Sequence, residues 1–222
     1  MDINKISVGE AAVHIPGVTK LFREYNIEFC CGGNQPLREV LENSPDLEAS
    51  FLDLWEKGKN EGSIADQEIP ILIDYILKNY HEKHRAELPE IIQLADRVEM
   101  RHADKSTCPK GLADHLKYML GELELHMNKE EMVLFPILRS NPYARPVAPI
   151  DVMMHEHVEH SHSIDKIFNL TNNLVPPDEA CTTWRALYSN LEHFINELKD
   201  HISLENNALF KRALQEERVE SE

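Results

Sequence analysis

The stretch His126-Met127-Asn128-Lys129-Glu130-Glu131-Met132-Val133-Leu134-Phe135 decides how this 222-residue chain folds. It reads H-x-x-x-E-x-x-x-L-F, and the pattern returns at His201-Ile202-Ser203-Leu204-Glu205-Asn206-Asn207-Ala208-Leu209-Phe210. On an α-helix, residues four apart lie about 6 Å apart along the axis and about 40° apart around it. His126 and Glu130 therefore point to one side, as do His201 and Glu205. Imidazole and carboxylate are both ligands for a first-row metal. The Leu-Phe that follows each pair sets it on an apolar stripe, the side of a helix that turns inward.

Working outward, each of these segments has a partner upstream that contains H-x-x-H: His81-Glu82-Lys83-His84 and His157-Val158-Glu159-His160. Nearly equal stretches of chain separate His81 from His126 and His157 from His201. This is the signature of a duplicated helical hairpin. Apolar residues at three- and four-residue steps predict a first long helix from about Pro70, with Ile73, Ile76, Leu77, Tyr80, His84, Leu88, Ile91, Ala95 and Val98 inward and a kink or break at Pro89. A second runs from about Lys110 to Leu138, a third from near Pro149 to Thr171, and a fourth from about Glu179 to Leu214. The residues 141–146 and 172–178, rich in Pro and Asn, connect them, and Arg218 to Glu222 read as a frayed tail. Four long helices with short links make an all-α four-helix bundle.

Two hairpins about one centre would bring together His81, His126, Glu130, His157, His201 and Glu205. Four imidazoles and two carboxylates are too many for one closed tetrahedral zinc site. They suit two octahedral ions with two His on each, bridged by Glu130 and Glu205. An added oxo or hydroxo bridge gives each ion five ligands and leaves one position open to dioxygen, nitric oxide or peroxide. One H-x-x-x-E alone is usually a solvated surface pair. A duplicated pair on apolar stripes is different, because a buried His and Glu without partners cost several kcal/mol.

His84 and His160 lie one turn from His81 and His157; each either touches the site or is a buried histidine with its own hydrogen-bond partner. Glu156 and Glu159 are candidates to accept the second N–H of a metal-bound histidine. His102, His115, His155, His162 and His193 have no repeat partner and read as surface residues, while Met119, Met127 and Met132 read as packing.

Upstream the character changes. Ser7-Val8-Gly9-Glu10 is a capping box. A short helix follows to about His14, Pro16 opens a second that ends at Tyr25-Asn26, Pro36 a third, and Ser44-Pro45 caps a fourth with Leu47, Phe51, Leu54 and Trp55 inward. The polar, Gly-bearing run 57–63 reads as a linker. It separates a small helical domain, residues 1–57, from the bundle, residues 64–222. Within the small domain lie Cys30-Cys31-Gly32-Gly33. Adjacent Cα atoms are about 3.8 Å apart, below the usual disulfide range of about 4.4–6.8 Å, so a bridge between these thiols would be strained. Redox exchange, nitrosothiol chemistry, transfer of a soft metal, or plain packing are open readings. Cys108 and Cys181 stand alone near helix starts and look incidental.

Composition bounds the rest. Hydrophobic content of 42% with 28% charged residues fits a soluble globular chain. A net charge of −16 argues against nucleic acid or an anionic membrane as partner. There is no signal-peptide pattern at the start and no uncharged apolar run near the roughly 18 residues of a membrane span. Four cysteines without scaffold spacing fit the reducing cytoplasm. Oligomeric state stays open, a homodimer included.

On Phe29-Cys30-Cys31-Gly32-Gly33, Tyr80-His81-x-x-His84, His126-x-x-x-Glu130 with Leu134-Phe135-Pro136, Glu156-His157, Pro176-Pro177 and His201-Ile202-Ser203-Leu204-Glu205-Asn206, the chain resembles a known family. The second part resembles hemerythrin-like di-iron domains. The whole resembles the repair-of-iron-centres family, of the YtfE/ScdA type. The resemblance implies a non-haem di-iron centre held by the six residues above, and iron rather than manganese or zinc. It also implies a role in restoring iron–sulfur clusters damaged by nitrosative or oxidative stress, by giving iron, by removing nitric oxide at the iron pair, or both. The damaged iron–sulfur proteins would be the partners. Whether nitric oxide reduction makes the chain an enzyme is left open. The alternative is a protein that binds or senses oxygen or nitric oxide reversibly. Oxygen-carrying hemerythrins have a fifth histidine ligand, a place His84 or His160 could fill.

Overall fold

The computed structural model describes residues 2–58, 61–141 and 144–215. Lys59 and Asn60 of the linker, Pro142 and Tyr143 of the second connection, and the tail at Arg218 to Glu222 lie outside these residues. The described residues are helical throughout, with one isolated bridge between Ser7 and Pro36 and no strand.

Four short helices come first: α1 (Val8–His14), α2 (Val18–Glu24), α3 (Leu37–Glu42) and α4 (Pro45–Gly58). Both halves of the capping box on α1 form, Glu10 N–H to Ser7 Oγ and Ser7 N–H to Glu10 Oε2. Pro16 does not open α2. It lies in the turn before it, and Gly17, at φ +79°, is the cap. A left-handed backbone there suits glycine, which has no Cβ to clash.

The bundle is built of four rods. The first joins α5 (Ile69–Ile76), a π-helical turn (Leu77–His81) and α6 (Glu82–Arg101). The second joins α7 (Leu112–Lys129), a π turn (Glu130–Leu134) and α8 (Phe135–Ser140). The third is α9 (Val147–Thr171). The fourth joins α10 (Thr182–Leu204), a π turn (Glu205–Phe210) and α11 (Lys211–Leu214). Around the bundle, α6 packs on α7, α7 on α9, and α10 on both α9 and α6. Pro89 does not interrupt its rod: α6 runs through it unbroken.

The π turns correct the expected stripe. Regular helical steps put Leu77 and Tyr80 inward, yet both are only half-buried. The buried positions step by five, from Ile76 to His81, and then resume at His84 and Leu88. The wide turn, closed by Glu82 N–H to the Leu77 carbonyl, is what swings His81 into the core.

The amino-terminal helices pack on the bundle through a shared core. Val8, Phe22, Phe29 and Phe51 belong to one contiguous buried cluster with Leu116, Leu191 and Phe194 of the bundle. Gly9 seats α1 against the fourth rod: a Cβ there would come within 2.1 Å of Asn207 Oδ1. Gly33 is equally confined, its would-be Cβ 2.8 Å from the Cα of Gly9. The Gly9 N–H donates to the Gly33 carbonyl at 2.8 Å, and Asn207 Nδ2 donates to the Phe29 carbonyl at 3.0 Å. The Cys30-Cys31 segment is thereby fastened to the π turn that begins at Glu205. No helix among the described residues is long and apolar enough to cross a membrane.

Candidate metal centre

All six proposed ligands lie in the bundle interior, none more than 1% exposed. Glu130 sits between His81 and His126, one oxygen 3.4 Å from His81 Nε2 and the other 3.5 Å from His126 Nε2. Glu205 sits likewise between His201 and His157, at 3.2 Å from each Nε2. Two sets of donor atoms result, His81–Glu130–His201–Glu205 and His126–Glu130–His157–Glu205, each converging within 4.8 Å. Each set takes one histidine from each hairpin, and the two glutamates are common to both.

The donor set fits metal on the chain's own terms. Nε2 of His81, Nε2 of His201 and all four carboxylate oxygens of Glu130 and Glu205 are buried without a hydrogen-bond partner. Orphaned polar atoms in an interior are costly, and two carboxylates side by side more so. Burial first, and then the charge of Glu205, push the Glu130 carboxyl well above the ordinary range. Glu205, against the same burial, is held ionised by His201 and His157. Cations at the two foci would satisfy every orphaned atom and remove the repulsion. Burial likewise pushes His126 down to about 4, keeping it in the neutral, ligating form.

The ring nitrogens that face away tell the histidines apart. His81 Nδ1 meets Glu131 Oε1 at 2.7 Å, His126 Nδ1 meets Glu156 Oε2 at 2.9 Å, and His157 Nδ1 meets Asn206 Oδ1 at 2.8 Å. Such partners fix the tautomer and orientation of a metal-bound imidazole. Glu156 was expected in this role. Glu131 and Asn206 were not, although a signal was available: each is the residue directly after a glutamate shared by the two sets. Glu159 is exposed and pairs with His162 at 3.6 Å instead. Arg85 and Lys129 hold Glu131 and Glu156 in turn.

His84 and His160 are buried beside the centre without belonging to either converging set. The hydrogen-bond partners expected for them are missing: neither ring nitrogen of His84 has one, nor does His160 Nε2. Their rings lie 5.3 Å from His201 and 5.0 Å from His126, so each ligand set has one spare imidazole at its side. Burial holds both below the usual histidine range, His160 at about 3. His115 is also buried rather than exposed, its Nε2 2.9 Å from the Ser163 carbonyl. His102 is half-buried against Trp184, while His155, His162 and His193 lie at the surface. Met119 and Met127 pack in the core, but Met132 is 76% exposed and packs against nothing there.

The vicinal thiols are free and stand next to this centre. Cys31 Sγ lies 3.4 Å from Ser161 Oγ, and that hydroxyl donates to the His157 carbonyl at 3.2 Å. Asn206, which accepts from His157, donates through Nδ2 to the Cys30 carbonyl at 3.0 Å. Cys30 Sγ is 2.8 Å from Glu28 Oε1 and 4.0 Å from Cys31 Sγ. The bond from Cys30 is the main reason Cys31 is pulled down to about 7, while that contact and burial push Cys30 up.

The chain matches the hemerythrin HHE cation binding domain over residues 72–213, and ScdA_N, a domain of unknown function, over residues 4–50. It is 45% identical to an iron-sulfur cluster repair protein YtfE of Dickeya chrysanthemi over 95% of this chain and 97% of that relative. Identity and coverage are the same for the protein of that name from Pectobacterium atrosepticum. The one from Musicola paradisiaca is 43% identical over 98% of this chain and all of the relative.

Proposed function

Because this chain belongs to the hemerythrin HHE cation-binding family and to the family of iron-sulfur cluster repair proteins, we propose that it restores damaged iron–sulfur clusters from a di-iron centre inside its bundle. His81, His126, His157 and His201 would hold the two ions, and Glu130 and Glu205 would bridge them. Iron follows from the family, since these donors would accept several first-row metals. Bound there, the pair would supply redox-active metal chemistry toward small ligands such as nitric oxide or dioxygen.

The chain's own contribution is to exclude bulk water, keep His126 neutral and hold His81, His126 and His157 in orientation from behind. The observation that carries the reading is the sharing of both glutamates by two ligand sets, with all four carboxylate oxygens and the Nε2 atoms of His81 and His201 left without a hydrogen-bond partner. The thiol segment favours repair over reversible gas binding. A carrier needs no cysteine pair tied by Asn206 to one of its ligands, whereas a protein that hands iron to a cluster, or takes nitric oxide from one, has use for thiols there. Its place of work is the reducing cytoplasm, where four free cysteines persist.

The test is reconstitution. An iron–sulfur protein damaged by nitric oxide is incubated anaerobically with the iron-loaded chain and a reductant. Cluster recovery above that given by equal free iron is expected, and recovery no better than free iron would reject the role.

A further inference from the structure

The duplicated hairpin allows a comparison of like with like. His81 and His157 are equivalent in the repeat. Each is held at Nδ1 by the residue after its own hairpin's bridging glutamate, Glu131 and Asn206. His126 and His201 are the other equivalent pair. His126 is held by Glu156, the residue before the first histidine of the opposite hairpin. The matching position for His201 is Tyr80, the residue before His81. Tyr80 accepts nothing from it. Its ring lies flat on the imidazole, centroids 4.9 Å apart and planes inclined by 10°, and Nδ1 of His201 is buried without a partner. The same ring lines a cleft of about 400 Å³ between the amino-terminal helices and the bundle, together with His14, Tyr75, Asp200 and Ser203. The unanchored ligand thus lies behind the ring nearest that opening.

Loss of an outer partner to a metal-bound histidine typically weakens binding by roughly 10–100-fold. We infer that the two positions of the centre are unequal, and that the ion held between His81 and His201 is the one released first, because Tyr80 occupies the place of a fourth anchoring acceptor. The inference rests on the proposed di-iron reading and identifies which ion such a chain gives away. Tyr80 is a positioning residue here: it acts on the ion only through His201.

The experiment uses the full chain loaded anaerobically with about two equivalents of ferrous iron, its magnetic coupling recorded before an excess of ferrous chelator is added. Two phases of about one equivalent each are expected, separated by roughly tenfold or more. Refilling after the fast phase with iron-57 should label one site only in the Mössbauer spectrum. Tyr80→Glu, which supplies the missing acceptor, should slow the fast phase toward the slow one. Tyr80→Phe, which keeps the stack and adds no acceptor, should not slow it. Asn206→Ala, which frees His157, should quicken the slow phase until the two converge. A single phase in a coupled wild-type pair overturns the inference, and so does a fast phase that a folded Tyr80→Glu chain leaves unchanged. Should that variant not fold, the wild-type and Asn206→Ala time courses decide the matter. A chain that takes up no coupled pair fails the di-iron reading itself, and that failure is recorded before the chelator is mixed.

Discussion

Nδ1 of His157 is held at 2.8 Å by the side-chain oxygen of Asn206, and the nitrogen of the same amide reaches the Cys30 carbonyl at 3.0 Å. One side chain therefore serves a ligand of the proposed centre and the backbone of the thiol segment. Asn206→Asp separates the two duties. A carboxylate still accepts from His157 but cannot donate to Cys30. Metal affinity should change less than about tenfold, whereas the segment around Cys30 should loosen. Faster proteolytic cleavage between residues 24 and 36, at unchanged iron content, is the expected reading.

Glu130→Ala and Glu205→Ala each remove two of the four carboxylate oxygens that now lack partners. Each variant should lose the magnetic coupling of the pair and bind less than about two equivalents of iron. Without metal the two deletions should differ: Glu130→Ala removes an unpartnered buried carboxyl and should cost little stability, whereas Glu205→Ala strips His157 and His201 of their buried partner and should lower the thermal midpoint. A coupled pair surviving in both variants would refute the bridging assignment.

The thiols should titrate apart. Cys31, pulled down to about 7 first by Cys30 and then by Ser161 and His157, should be alkylated with a midpoint near that pH. Cys30, pushed up by Cys31 and by burial, should stay unreactive across the neutral range. Cys30→Ala removes the main cause and should return the Cys31 midpoint toward that of a free thiol, about 8.5. Mass-resolved alkylation against pH measures both.

Acid should destabilise the metal-free chain before its carboxylates titrate. Burial holds folded His126 at about 4 and folded His160 at about 3, whereas an unfolded histidine titrates near 6.5. Between these values the unfolded state binds more protons, so stability is full above about 6.5 and falls as pH drops. The thermal midpoint of the apo chain should decline steadily from pH 7 to pH 4. His160→Leu, which keeps the volume and removes a titrating group, should flatten the decline.

Much of this was legible in the sequence because duplication is a pattern that survives without coordinates. His126-x-x-x-Glu130 and its copy announced the buried His–Glu clusters, and their apolar stripes announced the bundle. What could not be read were departures from regular helix. A π turn changes which residue faces inward without any signal in a three-four rhythm, so Leu77 and Tyr80, inward on that rhythm, are only half-buried, while His81, placed at the centre by the repeat, takes the buried position. Charge carried no information on Glu131 against Glu159, since both are acidic residues near a ligand and only the packing selects one. Pro89 was legible as a breaker but is tolerated: α6 runs through it, with Leu88 and Ile91 buried on either side. His115 had no repeat partner, but it stands three residues after Leu112 and four before Met119 on the buried stripe of α7, where a carbonyl of α9 satisfies it.

The contact of Gly9 with Asn207 bears on how this architecture could be recombined. At 2.1 Å from an amide oxygen there is no room for even a methyl group, so the thiol-bearing helices are keyed to this bundle by the absence of a side chain. Anyone transplanting that front piece onto another hemerythrin-like scaffold must carry over Gly9, Gly33 and the Asn206-Asn207 pair together. A chimera that keeps the cysteines but not this lock would hold them tethered, and without their contacts to Ser161 and Asn206.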